Sequence, residues 1–254
     1  MALLQVYDVT KRFGGNEVIS HANFAVREDT ITAVLGPNGA GKTTLFNLIT
    51  GVLRPTSGDI LFEGQSIIDM PVPDIVRLGV ARTFQKLRLF KNLTAEQNVT
   101  LSRLSLGHVP WLYAFMGSRS SRDEERRAVD EAAELLSFIG LAGFEKARAG
   151  SLPHGQQRLL EIARAMALNP RFLLLDEPMA GLNPEESSRL AGSLLRIRER
   201  GITILLIEHH VDVVMDIADR IVVLDFGKVI ADGPPEEIQT DPRVIAAYLG
   251  GGVN

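Results

Sequence analysis

The sequence predicts an α/β fold, a mostly parallel sheet covered on both faces by helices. Three observations predict it. Short apolar runs of strand length, Ile31 to Leu35, Phe172 to Leu175 and Ile202 to Ile207, carry few polar residues, as strands buried on both faces do. Segments with apolar residues at helical spacing separate them. A glycine-rich stretch, Gly36 to Thr44, lies where a strand gives way to a helix.

The elements come in order. Leu4 to Val9 alternates like a half-buried strand, and Thr10 to Gly15 reads as a turn with Phe13 at its edge. Val18 to Val26 reads as a second strand. Gly58 to Gly64 is a short strand bounded by glycines, Pro71 to Leu78 a short helix, and Val80 to Gln85 a strand ending on a glutamine. Composition then shifts. Lys86, Arg88 and Lys91 surround Leu87, Leu89 and Phe90. Asn98 to Leu106 reads as helical, Val109 to Met116 is apolar and aromatic, and Gly117 to Asp123 is polar. From Glu124 to Gly140, Ala128, Ala132, Leu135, Leu136 and Ile139 share one helical face, with Gly140 as C-cap. Leu93 to Leu152 is therefore a helical insert in an α/β core. A helix striped by Leu159, Leu160, Ile162, Ala163, Met166 and Ala167 stops at Asn169-Pro170. Pro184 opens another helix, and a further helix begins near Val211. Asp225-Phe226-Gly227 reads as a hairpin turn, and Pro235 to Leu249 closes with short helices.

Composition sets bounds. The 254 residues suffice for one large domain or two small ones. A net charge of −4 gives no support to a nucleic-acid partner. The absence of cysteine excludes disulfides and thiolate metal sites. The first residues lack the basic start and apolar core of a signal peptide, and no run approaches the roughly 20 apolar residues that span a bilayer. A membrane role therefore needs a separate partner chain.

Two motifs carry chemistry. Gly36-Pro37-Asn38-Gly39-Ala40-Gly41-Lys42-Thr43-Thr44 fills every position of the P-loop pattern, after a strand and before a helix. Glycines let the backbone curl so that N–H groups point inward, and the helix N-terminus adds partial positive charge. Lys42 is placed to reach β- and γ-phosphates, and the Thr43 hydroxyl to ligate Mg²⁺. Phe172-Leu173-Leu174-Leu175-Asp176-Glu177 is an apolar strand ending in two carboxylates, the Walker B arrangement. Open α/β sheets bind ligands at that strand edge. Asp176 is then the Mg²⁺ group and Glu177 the general base toward water. A strand-Asp-Glu run alone is weak; the P-loop beside it makes the pair specific.

Between them, Leu152-Pro153-His154-Gly155-Gln156-Gln157-Arg158 precedes a helix. The run resembles the signature of ABC ATPases, usually Leu-Ser-Gly-Gly-Gln. With the P-loop, Gln85, Asp176-Glu177 and a His after the next strand, the resemblance spans nearly the whole chain. It is similar to a nucleotide-binding subunit of an ABC transporter. Lys11 to Gly15, Ala81 to Gln85, His154 to Arg158, Ala180 to Pro184 and Ile207 to His209 resemble the ATP-binding subunits of branched-chain amino-acid importers.

The resemblance implies a P-loop NTPase (RecA-like) core with an antiparallel β subdomain in residues 1–92 and 153–254, and a helical insert in 93–152, one cassette overall. It implies two subunits paired head to tail around two ATP molecules, as homo- or heterodimer. It also implies transmembrane permease subunits, an indirect solute-binding protein, and a peripheral place on the cytoplasmic face of the membrane. Carried over by residue, Phe13 stacks on adenine, Gln85 senses Mg²⁺ and γ-phosphate, and His209 is the switch histidine, with His210 one position away as the alternative. His154, Gly155 and Gln156 face the partner's γ-phosphate. Two positions depart from the family. Pro153 stands where Ser donates, and it offers neither hydroxyl nor N–H. Losing one such donor typically costs roughly 3 kcal/mol of transition-state stabilisation. The His154 and Gly155 N–H groups remain, and the His154 imidazole is a possible substitute. Asn183 replaces the usual Asp of the loop after Walker B.

Three functions compete. One is a transport ATPase subunit whose ATP-driven closure drives a permease for branched-chain or other amino acids, or for urea, amides or an exported lipid. Another is a soluble ABC ATPase of DNA repair or translation, which usually carries a long coiled coil or two fused cassettes. The third is another P-loop enzyme such as a small-molecule kinase, which leaves Gln156-Gln157-Arg158 and His209 unexplained.

Overall fold

The computed structural model describes residues 1–83, 87–105 and 119–250. Gln85 and the Trp111-Tyr113-Phe115 segment lie outside them. The chain forms two compact units. The first comprises Met1–Arg82, Arg171–Met179 and Leu194–Asn254, and the second Thr83–Pro170 and Ala180–Ser193.

The first unit holds two sheets. Strands β1 (Ala2–Phe13), β2 (Asn16–Arg27), β4 (Ser57–Phe62) and β5 (Gln65–Ser66) form an antiparallel sheet in the order β2-β1-β4-β5. The alternating pattern ends β1 before Thr10; the strand instead runs to Phe13. Lys11, Arg12 and Phe13 pair with Ile19, Glu17 and Asn16, so only Gly14-Gly15 is left to turn. The Arg12 guanidinium also donates to the Glu17 carboxylate at 2.8 Å across the pair.

The second sheet has the order β10-β9-β3-β8-β7-β6. It contains β3 (Ile31–Leu35), β6 (Val80–Arg82), β7 (Phe172–Asp176), β8 (Thr203–Ile207), β9 (Arg220–Asp225) and β10 (Lys228–Gly233). Among the described residues of this sheet only β9 and β10 pair antiparallel, through the turn at Phe226-Gly227. Every residue of β3, β7 and β8 is buried, as their uninterrupted apolar character demands. The strand expected over Val80 to Gln85 is regular only to Arg82, and Gln85 is not among the described residues. Phe62 of β4 stacks on Phe172 of β7 with centroids 6.1 Å apart, which ties the two sheets through one core. Helices α1 (Lys42–Ile49) and α2 (Val72–Arg77) belong to this unit.

The second unit is helical. In α3 (Ala95–Leu104) Thr94 and Gln97 form a reciprocal capping box. In α4 (Arg119–Ile139) Ala128, Ala132, Leu136 and Ile139 are buried at helical spacing, and Gly140 ends the helix at φ +93°. Helix α5 (His154–Met166) stops before Asn169, which takes φ +54°. Helix α6 (Pro184–Glu199) begins in this unit and ends in the first. Helices α7 (Val211–Ile217), α8 (Pro235–Thr240) and α9 (Pro242–Gly250) complete the first unit.

Candidate functional site

Strand register gathers the P-loop, the two carboxylates and His209 at one edge. Ile207 of β8 pairs with Val34 of β3 on one side and with Asp176 of β7 on the other. The segments leaving these three strands therefore emerge together: Gly36 to Thr44 after β3, Glu177 after β7, Glu208 and His209 after β8. This is the carboxyl edge, where open parallel sheets place ligands.

The glycine loop is held from outside. A Cβ on Gly36 would meet the Leu224 carbonyl oxygen at 2.0 Å, and one on Gly41 would meet the Val18 oxygen at 2.8 Å. Gly227 of the β9–β10 turn donates its N–H to the Ala40 carbonyl at 3.0 Å. Gly41 caps α1 at φ +102° with no side-chain cap and no acidic residue in the first turn. An uncapped helix start of this kind suits an anion. Pro37 is partly buried, Asn38 and Gly39 are exposed, Thr43 is exposed and Thr44 partly buried. The Lys42 ammonium donates to the carbonyls of Gly36 (2.7 Å) and Pro37 (3.0 Å). Burial pushes Lys42 below the ordinary lysine range, against the pull of the Glu177 and Asp176 carboxylates.

Asp176 is buried at the end of β7. Burial raises its carboxyl above the ordinary range, while the Arg82 hydrogen bond and the charges of Arg82 and Lys42 oppose the rise and Glu177 adds to it. Glu177 stands just beyond the strand at φ +50°, and its N–H donates to the Ile207 carbonyl at 3.0 Å. Its Oε1 lies 2.8 Å from Nε2 of His209. His210 instead occupies the N-cap of α7, without a side-chain cap bond.

Phe13 is about half exposed at the end of β1, 48% by area, with the Lys11 ammonium 5.1 Å from its ring centroid. In the second unit, α5 starts behind Pro153, again with no side-chain cap and no acid in the first turn. His154 is exposed and Gly155 buried, and the Oε1 of Gln156 is buried with no hydrogen-bond partner among the described residues. Asn183 and Glu186 cap each other, at 3.0 and 2.9 Å. The Glu186 carboxylate lies where a Cβ on Gly155 would be, 2.7 Å from it.

Three contributors are invisible to sequence reasoning. Glu208, buried behind His209, accepts from the Met179 N–H at 2.8 Å and the His209 N–H at 3.0 Å, so it braces the loop after β7 against the exit of β8. Arg82 reaches Asp176. Tyr248 of α9 is hydrogen-bonded to the Gly36 backbone. Glu208 and Arg82 sit inside recognisable motifs, but nothing in their neighbours' identity announces a buried polar partner.

The donors that could hold a cation here, the Thr43 hydroxyl and the Asp176 carboxylate, are hard oxygens that suit magnesium. Among the described residues no group of three His, Asp or Glu forms a complete protein cage.

Comparison with known proteins agrees with this geometry. The sequence model of the ABC transporter family matches residues 19–180. That of the branched-chain amino acid ATP-binding cassette transporter matches residues 228–254. The chain is 45% identical over 249 residues to the high-affinity branched-chain amino acid transport ATP-binding protein BraF of Pseudomonas aeruginosa, with 98% of each chain covered. It is 42% identical over 249 residues to the corresponding protein LivG of Escherichia coli, again with 98% of each covered. A solved ATP-binding cassette of an ABC transporter in its ADP conformation superposes with a TM-score of 0.86 at 32% identity, covering 98% of this chain and 99% of that one. A glycine-rich loop, a carboxylate pair and a histidine on one sheet edge, in a chain so closely related to transport cassettes, place it: the chain belongs to the ABC transporter family, as one of its ATP-hydrolysing subunits.

Proposed function

We propose that this subunit powers a separate membrane permease that imports branched-chain amino acids, and that it works as a dimer on the cytoplasmic face of the membrane. The observation that carries the chemistry is the Glu177–His209 contact of 2.8 Å beside the Lys42 loop. The cargo rests on the relatives' names and on the C-terminal family match. Among the described residues no helix is long and apolar enough to cross a membrane, so the conduit is assigned to other chains.

In this reading Phe13 stacks on adenine. The N–H groups of Gly36 to Thr44 surround the phosphates, with Lys42 against the β- and γ-phosphates. Thr43, Gln85 and Asp176 would hold magnesium, which would neutralise phosphate charge. Glu177 takes the proton of a water as its oxygen attacks the γ-phosphorus, and ADP leaves as the bridging bond breaks. His209 holds the Glu177 carboxylate through its Nε2. The helix start at His154, Gly155 and Gln156 offers its N–H groups to the γ-phosphate bound by the other subunit. Its uncapped, acid-free first turn supports that role.

The test is reconstitution of the chain with its permeases and solute-binding protein in vesicles. Leucine, isoleucine or valine should stimulate phosphate release and accumulate inside. Stimulation by urea or a short amide instead would reassign the cargo. Absence of ATP hydrolysis in the intact complex would sink the whole reading.

A further inference from the structure

Arg82 makes more contacts than a strand terminus needs. Its guanidinium donates to Asp176 Oδ2 at 2.9 Å with one terminal nitrogen. With the other it donates to Asn47 Oδ1 at 2.6 Å and Thr50 Oγ1 at 3.3 Å, both beside one another at the end of α1. Its central carbon lies 5.6 Å from the centroid of Phe46 on the same helix. The side chains of Arg82 and Asp176 are only 8% and 2% exposed. A buried ion pair contributes little net stability compared with an apolar pair of the same shape. Its use is therefore sought in what it positions.

The contacts themselves say what that is. Asn47 lies four residues after Thr43, so the two share one face of α1. Arg82 thus joins the helix face that carries Thr43 to the carboxylate of Asp176. We propose that Arg82 is a positioning residue that fixes Asp176 relative to the P-loop helix and so sets how tightly the site takes a divalent cation. The inference rests on the reading of Thr43 and Asp176 as magnesium ligands. Magnesium demands near-octahedral geometry and takes few protein ligands, so a misplaced carboxylate is not averaged out. The planar fork bridges both partners at fixed distance, which a lysine ammonium cannot do.

The experiment measures binding of a fluorescent ATP analogue to the purified full chain, in EDTA and across a magnesium series. Wild type is compared with Arg82→Lys and Arg82→Met. In both variants the half-saturating magnesium concentration should rise about tenfold or more, the range in which outer partners of metal ligands act. Affinity in EDTA should stay at the wild-type value, because the P-loop is untouched. If Arg82→Met does not fold, Arg82→Lys, which keeps the buried charge, carries the test, with thermal melts as the check. A magnesium series that superimposes on wild type or shifts to lower concentration overturns the proposal. So does an equal loss in EDTA, which marks a merely structural role. A wild-type chain whose nucleotide binding ignores magnesium contradicts the ligand reading itself, and that result is visible without either variant.

Discussion

Glu177→Gln isolates one property of the site. The amide has the shape of the carboxylate, and its oxygen can keep the 2.8 Å contact with His209 Nε2. The backbone at φ +50° is asked of Gln as it is of Glu, so the strain is unchanged. What disappears is basicity. A positioned general base contributes roughly 10²–10⁴ in rate. At 1.36 kcal/mol per tenfold, the barrier should rise by about 2.7–5.4 kcal/mol. Binding of ATP should survive, because the phosphate loop and Lys42 are untouched. The expected phenotype is an ATP-loaded dimer that turns over slowly. The assay is phosphate release by the reconstituted complex at saturating Mg-ATP, with sizing of the ATP-bound species. His209→Ala alone should also slow release, since it frees the Glu177 side chain. Added to Glu177→Gln it should do little more, because groups that act as a unit are not additive. Turnover by Glu177→Gln within about fivefold of wild type would show that the proton goes elsewhere, and the roles given to both residues would fall.

Lys42→Met should abolish nucleotide binding yet raise the melting temperature of the nucleotide-free chain near pH 7. Folding lowers the Lys42 pKa, so its ammonium is penalised at any pH below the folded value, and the advantage of Met should shrink as pH climbs through that value toward the ordinary lysine range. Gly36→Ala drives a Cβ to 2.0 Å from a backbone oxygen that cannot rotate away, and should cost about 3 kcal/mol or more in urea unfolding. Gly39→Ala has open space and only its φ of +82° to suffer, so about 1–2 kcal/mol is expected. Gly155→Ala must push Glu186 off its cap on Asn183, a loss of about 1 kcal/mol that should largely vanish in a Glu186→Ala background.

Much of the fold is legible in residue order. Buried parallel strands announce themselves as unbroken apolar runs, which is how β3, β7 and β8 can be read without knowledge of their pairing. The P-loop, Asp176 and Glu177 are legible because strand, turn and helix signals flank them. The end of β1 is not. Lys11, Arg12 and Phe13 have no alternation to show, and they are strand because β2 pairs with them. Register is equally hidden. Nothing local says that Ile207 lies between Val34 and Asp176, yet that alignment brings His209 to Glu177. Arg82 and Glu208 escape for a related reason: a buried charge is defined by a partner far along the chain.

The places where local rules break are also the places where we propose the chemistry lies. Glu177 sits in a left-handed conformation that a β-strand's end does not require. Asp176 and Lys42 are charged and buried, and burial works against both charges. Gly36 and Gly41 press backbone against backbone where any side chain would clash. Each costs stability, of order 1–3 kcal/mol for a strained residue. Hydrogen bonds offset part of this for the two charges, from Lys42 to the Gly36 and Pro37 carbonyls and from Arg82 to Asp176. The strands that carry them are fully buried, and their burial adds apolar stabilisation on the same side of the balance. A chain free to relax would let Glu177 return to extended backbone and part from His209. The Glu177 N–H on the Ile207 carbonyl and the Oε1 contact with His209 hold the carboxylate where it stands. In the proposed mechanism, preorganisation of this kind would lower the barrier, because little reorganisation is left for the moment of reaction.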